Sequence, residues 1–224
     1  LNKIFCQACK KEISKSYFQG YCYPCMISVP QASECILRPE LCKAHEGQAR
    51  DMKWAKEHCL NDHVVYLAIT SGLKVGVTRS SQAPTRWIDQ GAVEAIELAR
   101  VPNRYLAGEL EVSLKKHVAD KTHWQKMLKS EYDVSLSLQE EKEKIIKLLG
   151  SSYKDYIVHE NSTTKNVFPV RRNPEKIKST NFDKQSRVHG QLTGIKGQYL
   201  IIDDETVFNV RRHTGYMIEM EINR

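Results

Sequence analysis

Seven cysteines carry the clearest chemistry in the chain, and all of them fall within its first 59 residues. Cys6-Gln-Ala-Cys9 is followed, after twelve residues, by Cys22-Tyr-Pro-Cys25. Two Cys-x-x-Cys knuckles at this spacing, a zinc-ribbon pattern, put four thiolates around one tetrahedral centre. Zinc suits such a centre because it is soft enough for sulfur and has no ligand-field geometry to satisfy. Gly20 stands just before the second knuckle, where backbone N–H groups turn toward sulfur. A redox dithiol or an iron–sulfur cluster is the alternative, although a redox site needs only one Cys-x-x-Cys, ideally at a helix start. A closed four-thiolate site leaves no open position for a reaction, so its expected role is to hold the fold.

A second group, Cys35, Cys42, His45 and Cys59, has the spacing for another zinc ion tying the knuckle region to the strands that follow. His58 and His63 are rival ligands, and three buried free cysteines are the alternative to a metal. An odd cysteine count, with no apolar leader and cleavage site at the start, argues against a disulfide scaffold. The expected compartment is the reducing cytoplasm. The chain opens on Leu1 rather than Met, so residues preceding it are allowed for.

The elements that must position chemistry come after the cysteines. His63–Ile69 is a β-rich run, Thr70-Ser71-Gly72 a turn and Leu73–Thr78 a second strand, which together predict a hairpin. Tyr66 then shares a face with Val64 and Ala68, while Val65 and Leu67 face the other way. Pro84 opens a short helix carrying Arg86 and Trp87, and Gly91 ends it. Ala92–Val101 reads as a third strand, with a helix as the alternative. From Pro102 and Asn103 a helix runs to about Ala119, with Leu106, Leu110, Leu114 and Val118 along one stripe. The order is β-β-α-β-α.

Four stretches are expected: a zinc-binding region over 1–62, an α/β core over 63–128, a helix and basic linker over 129–189, and a β-meander over 190–224. The helix of the third stretch spans Leu138–Leu149, where Glu–Lys pairs suggest a solvated face. In the last stretch Ile218, Met220 and Ile222 alternate with Glu219 and Glu221, the pattern of a half-buried strand. The fold class expected is α+β: knuckles, a small mixed core and an antiparallel meander.

The segment VYLAITSGLKVGVT, then Arg86, then AGELEVSLKKH resembles the GIY-YIG nuclease superfamily, especially its phage-type branch. The resemblance covers about residues 63–128. It implies a hairpin tyrosine as general base, a helical arginine on the phosphate and a glutamate holding a divalent metal, Mg2+ or Mn2+. On the matching positions these are Tyr66, Arg86 and Glu111, and Gly76 matches the glycine of the second motif, leaving room for a phosphate against the backbone. The first motif reads Val64-Val65-Tyr66 without its glycine, and the second Lys74-Val75-Gly76 without its tyrosine. These departures imply a degenerate core. The whole chain is also similar to a group of bacterial and archaeal proteins defined only as a domain of unknown function, sharing LRPELC, LKVGVTR, TRWIDQGA and PNRYLAGELEV.

The chain has 224 residues, 41% hydrophobic and 27% charged, the composition of a folded domain or two. No apolar run approaches the ~20 residues of a membrane span, so no membrane partner is expected. A net charge of +7 favours polyanions. Lys74, Arg79, Arg86, Arg171 and Arg172 are the candidate contacts to the phosphates of DNA or RNA. Three readings follow: a zinc-stabilised nucleic-acid-binding protein, a metal-dependent endonuclease using Tyr66, Arg86 and Glu111, and a zinc-scaffolded protein-interaction module. Neither composition nor pattern sets the oligomeric state.

Overall fold

A computed structural model describes residues 3–119 and 121–223. The chain starts with a two-strand hairpin, β1 (Ile4–Phe5) and β2 (Glu12–Ile13), and a short helix, α1 (Tyr23–Ser28). A run of one-turn 3-10 helices leads to α2 (Met52–His58). Next come β3 (His63–Ile69), β4 (Leu73–Arg79), α3 (Ala83–Asp89), β5 (Glu94–Val101) and α4 (Arg104–Leu114). They are followed by α5 (Trp124–Lys129), α6 (Leu138–Leu149), β6 (Thr164–Lys165) and β7 (Lys178–Thr180). Three strands, β8 (Leu192–Lys196), β9 (Tyr199–Ile202) and β10 (Thr206–Asn209), complete the elements. The fold is α+β, with the expected β-β-α-β-α order from β3 to α4. Among the described residues no helix is long and apolar enough to cross a membrane.

Two compact units divide the chain: Leu1–Ser33 with Val170–Arg224, and Glu34–Pro169. This differs from the expected four stretches, because chain neighbours part company and distant segments pair. Cys35, Cys42 and Cys59 belong with the hairpin, not with the knuckles.

In the Glu34–Pro169 unit a sheet of order β4-β3-β5-β6 has antiparallel neighbours throughout. Its central strand β3 is buried over its whole length. Val65, Leu67 and Ile69 pack with Ile96, Leu98, Leu110 and Leu114, and with Leu138 and Ile145 of α6. On the other face Val64, Tyr66 and Ala68 pack with Ala83, Trp87 and Ala95. Two helical layers therefore cover the sheet, which is why β3 reads as a continuous apolar run rather than an alternating one. The β3–β5 register slips between Val65 and Tyr66, a bulge at the strand's only tyrosine. Asn103 caps α4 by accepting from the Leu106 N–H at 2.9 Å. Gly108 lets that helix rest on the backbone of Pro39 and Glu40, where an added Cβ would stand 2.1 Å from the Glu40 nitrogen. The helix ends at Leu114 rather than near Ala119; Ala119 instead accepts from the Val75 N–H and covers part of the β4 edge.

Residues 129–189 are more than a helix and a linker. They supply β6 to one unit's sheet and β7, which runs parallel to β10, to the other's. On α6 Lys142 is buried, and its ammonium donates to the Glu160 carbonyl at 2.6 Å.

In the other unit the sheet order is β7-β10-β9-β8. The Phe5 N–H donates to the Gly215 carbonyl and the Met217 N–H to that of Lys3, joining the knuckle hairpin to the end of the chain. The expected strand at Ile218–Ile222 is not formed. Among the described residues pairing stops at Met217, and Ile218, Met220 and Ile222 stay exposed.

Candidate functional site

The ligand atoms of Cys6, Cys9, Cys22 and Cys25 all lie within 4.8 Å of one another. Cys9 Sγ and Cys22 Sγ are 3.9 Å apart, against the ~3.8 Å that ~2.3 Å Zn–S bonds give at a tetrahedral centre. The backbone explains the convergence. Cys6 leaves β1 into a turn closed by Lys10 N–H to its carbonyl, with Lys10 at φ 61°. Gly20, at φ 91°, accepts from the Gln7 N–H, so the two knuckles are pinned together. Cys22 sits at the N-terminus of α1, and its N–H donates to Cys6 Sγ at 3.3 Å.

Burial pushes the Cys6 thiol up, but hydrogen bonds from the backbone N–H groups of Cys22, Cys9 and Ala8 outweigh it and bring it down to about 6. Cys25, first through its hydrogen bond with Cys22, is pushed up to about 12. The four positions fit a soft metal ion such as zinc.

Cys35, Cys42 and Cys59 also meet. Cys35 packs against the cluster that holds the buried Cys42 and Cys59; the thiols of Cys35 and then Cys59 hold Cys42 far below the usual thiol range, while Cys59 is pushed up. His45, expected as the fourth member, has other partners: its ring stacks on Tyr105 at 4.3 Å and its Nε2 faces Glu46 at 3.7 Å.

The hairpin site is built on the α3 side of the sheet. Tyr66 pairs with Gly76 across the strands, and an added Cβ at Gly76 would stand 2.6 Å from the phenol oxygen. The room left by this glycine is thus filled by the Tyr66 ring, not held open for a phosphate. The phenol donates to Gln90 Oε1 at 2.9 Å and takes a hydrogen bond from the Arg86 side chain. Trp87 meets its ring edge-on at 5.9 Å. Glu111 lies within electrostatic range of the same phenol; its side chain is 12% exposed and 3.8 Å from the Lys115 ammonium. Burial pushes Tyr66 up to about 12; Arg86 and Gln90 pull the other way and Glu111 adds to the rise.

Lys74 is buried, not set out for a ligand. Its ammonium donates to Gln90 Oε1 at 2.9 Å and to Thr122 Oγ1 at 3.4 Å. Arg79 closes β4 opposite His63. Arg171 and Arg172 lie in the other unit and pair with Asp204 and Glu175. Gln90 organises the hairpin site by accepting from both Tyr66 and Lys74, partners 24 and 16 residues away in sequence that no local pattern announced. Thr122 carried no signal at all, being 52 residues from the Thr70 hydroxyl to which it donates.

No curated protein and no solved structure matches the chain. The model of the family described as a protein of unknown function, DUF2797, matches residues 1–218, and the chain belongs to that family.

Proposed function

We propose that this protein binds nucleic acid through the Arg86 surface of its Glu34–Pro169 unit, on a degenerate GIY-YIG-like core, with a zinc-held module in the other unit. The observation that carries this reading is the convergence of Arg86 and Glu111 on Tyr66. Residues from a short helix and a later helix come within electrostatic range of one hairpin phenol, as the arrangement that the resemblance implies for gripping a phosphodiester requires. The β-β-α-β-α order on an antiparallel sheet supports it, as does the +7 charge. Arg86 is half-buried and supplies a planar, always-charged fork suited to phosphate.

Binding is favoured over cleavage by the state of Tyr66. A general base works best with a pKa near the operating pH, whereas this phenol is fully buried and pushed up to about 12. Its place is to seat Arg86 and Gln90. Titration of labelled single- and double-stranded oligonucleotides tests the proposal. Arg86→Ala is expected to cost about 1.5–3 kcal/mol, roughly tenfold or more in affinity. Equal binding by both proteins would end the assignment of Arg86. No binding by either would leave the protein-interaction reading.

The same convergence favours one second reading, an endonuclease in which Glu111 would hold Mg2+ or Mn2+ and the metal would polarise the phosphate. A plasmid-nicking assay with either ion separates the two. Cleavage lost in both Glu111→Ala and Tyr66→Phe supports the nuclease; background activity alike in all three supports binding only.

A further inference from the structure

Cys35, Cys42 and Cys59 come from three separate turns: the one-turn helix Glu34–Ile36, the end of Pro39–Leu41 and the C-cap of α2. None of the Glu34–Ile36 and Pro39–Leu41 residues is buried. Besides Cys42 and Cys59 the small cluster here has only Ala44 and Ala55 as buried members, with Met52, Trp54, Leu60 and Tyr105 partly buried against it. Chain whose buried members are so few and small needs another tie, and three cysteines gathered in one cluster are the means at hand.

We propose that Cys35, Cys42, Cys59 and His63 hold a second zinc ion, with His63 in the place that spacing alone gives to His45. His63 is 2% exposed at the start of β3. Its Nδ1 lies 2.8 Å from the Asn61 carbonyl. A carbonyl only accepts, so Nδ1 carries the proton and the free lone pair is on Nε2. That Nε2 is buried with no hydrogen-bond partner, and an unsatisfied buried acceptor is costly. A histidine that donates one N–H to a backbone carbonyl and offers the other nitrogen is the usual arrangement of a metal ligand. His63 lies within electrostatic range of Cys42 and Arg104.

Arg104 fits the charge such a centre would carry. Three thiolates, one neutral imidazole and Zn2+ sum to −1. Arg104 donates from Nη1 to the Cys35 carbonyl at 3.3 Å, from Nη2 to the His58 carbonyl at 3.1 Å and from its backbone N–H to that of Cys59 at 2.8 Å. One cation is thereby fixed beside two of the three thiolates. The rivals lack this feature: His45 stacks on Tyr105 and His58 lies flat on Trp54 at 4.2 Å, and among the described residues His63 Nε2 is the one histidine nitrogen buried without a hydrogen-bond partner. Four protein ligands close the site, so the ion would be structural. It would fasten the turn region to β3 three residues before Tyr66.

Native mass spectrometry of the full chain, loaded with Zn2+ and desalted, tests this. Two zinc ions per molecule are expected, and one in the Cys22→Ser/Cys25→Ser variant. His45→Gln and His58→Gln should keep both, whereas His63→Gln should lose one or, with Co2+ in place of zinc, show an altered cobalt spectrum. If substituted chains fail to fold, the unmodified protein decides. Alkylation of Cys35, Cys42 and Cys59, followed by peptide mapping, should be suppressed by zinc and restored by a chelator. One zinc per unmodified chain, with those three cysteines alkylated alike with and without zinc, would overturn the site. Two ions and an unchanged cobalt spectrum in folded His63→Gln would overturn the part given to His63.

Discussion

Tyr66 shows how burial sets what a residue can do. With its phenol sealed under α3 and pushed up to about 12, it is a neutral donor at physiological pH. The folded state keeps this proton after an unfolded tyrosine, at about 10, has lost it. Between pH 10 and 12 the unfolded chain therefore binds fewer protons, and stability falls as pH rises. The contribution is present below pH 10 and amounts to roughly 2–3 kcal/mol. Urea unfolding across pH 9–12 should show a steeper alkaline loss in the unmodified protein than in Tyr66→Phe; parallel curves would contradict the burial argument. Gly76→Ala places a methyl 2.6 Å from the phenol oxygen. It should cost about 1–3 kcal/mol in the same measurement, as overpacking does. The first cysteine quartet was legible because four thiols at knuckle spacing admit few geometries. The part proposed for His63 was harder to read, because ligand spacing favours the histidine nearer Cys42 and only the buried, unpartnered Nε2 singles out His63.

Among the elements, those with strong local patterns were readable. The β3–β4 hairpin, α3 and α6 carry apolar runs, a proline start or a serine cap within their own residues. What failed was pairing between distant segments. Thr164-Lys165 and Lys178–Thr180 have no strand pattern of their own and become strands because β5 and β10 offer open edges. Ile218–Ile222 has the pattern and no partner. The seating of α4 is likewise long-range. Gly108→Ala gains ~1 kcal/mol of helix propensity but drives a methyl into the Pro39–Glu40 backbone. The net effect should be a loss of roughly 2 kcal/mol in denaturant unfolding. An unchanged or raised midpoint would mean that the helix and this turn are not in direct contact.

At the scale of the whole molecule the chain divides into two compact units. The knuckle cysteines and the C-terminal sheet share one, and the hairpin site with the remaining cysteines lies in the other. Hydrogen exchange read by mass spectrometry should therefore show a selective effect of Cys22→Ser/Cys25→Ser. Amides over residues 3–28 should lose protection while those of β3 and β5 keep it; equal loss in both would contradict independent units.

The central claim is that Arg86 meets a phosphate. The most direct measurement is the salt dependence of oligonucleotide binding by the unmodified protein and by Arg86→Ala. Plotting log Kobs against log salt, the unmodified protein should give a clearly negative slope. Arg86→Ala should bind more weakly with a slope shallower by about 0.7–0.9, one phosphate contact fewer. A flat slope, or the same slope and affinity in both proteins, would contradict it.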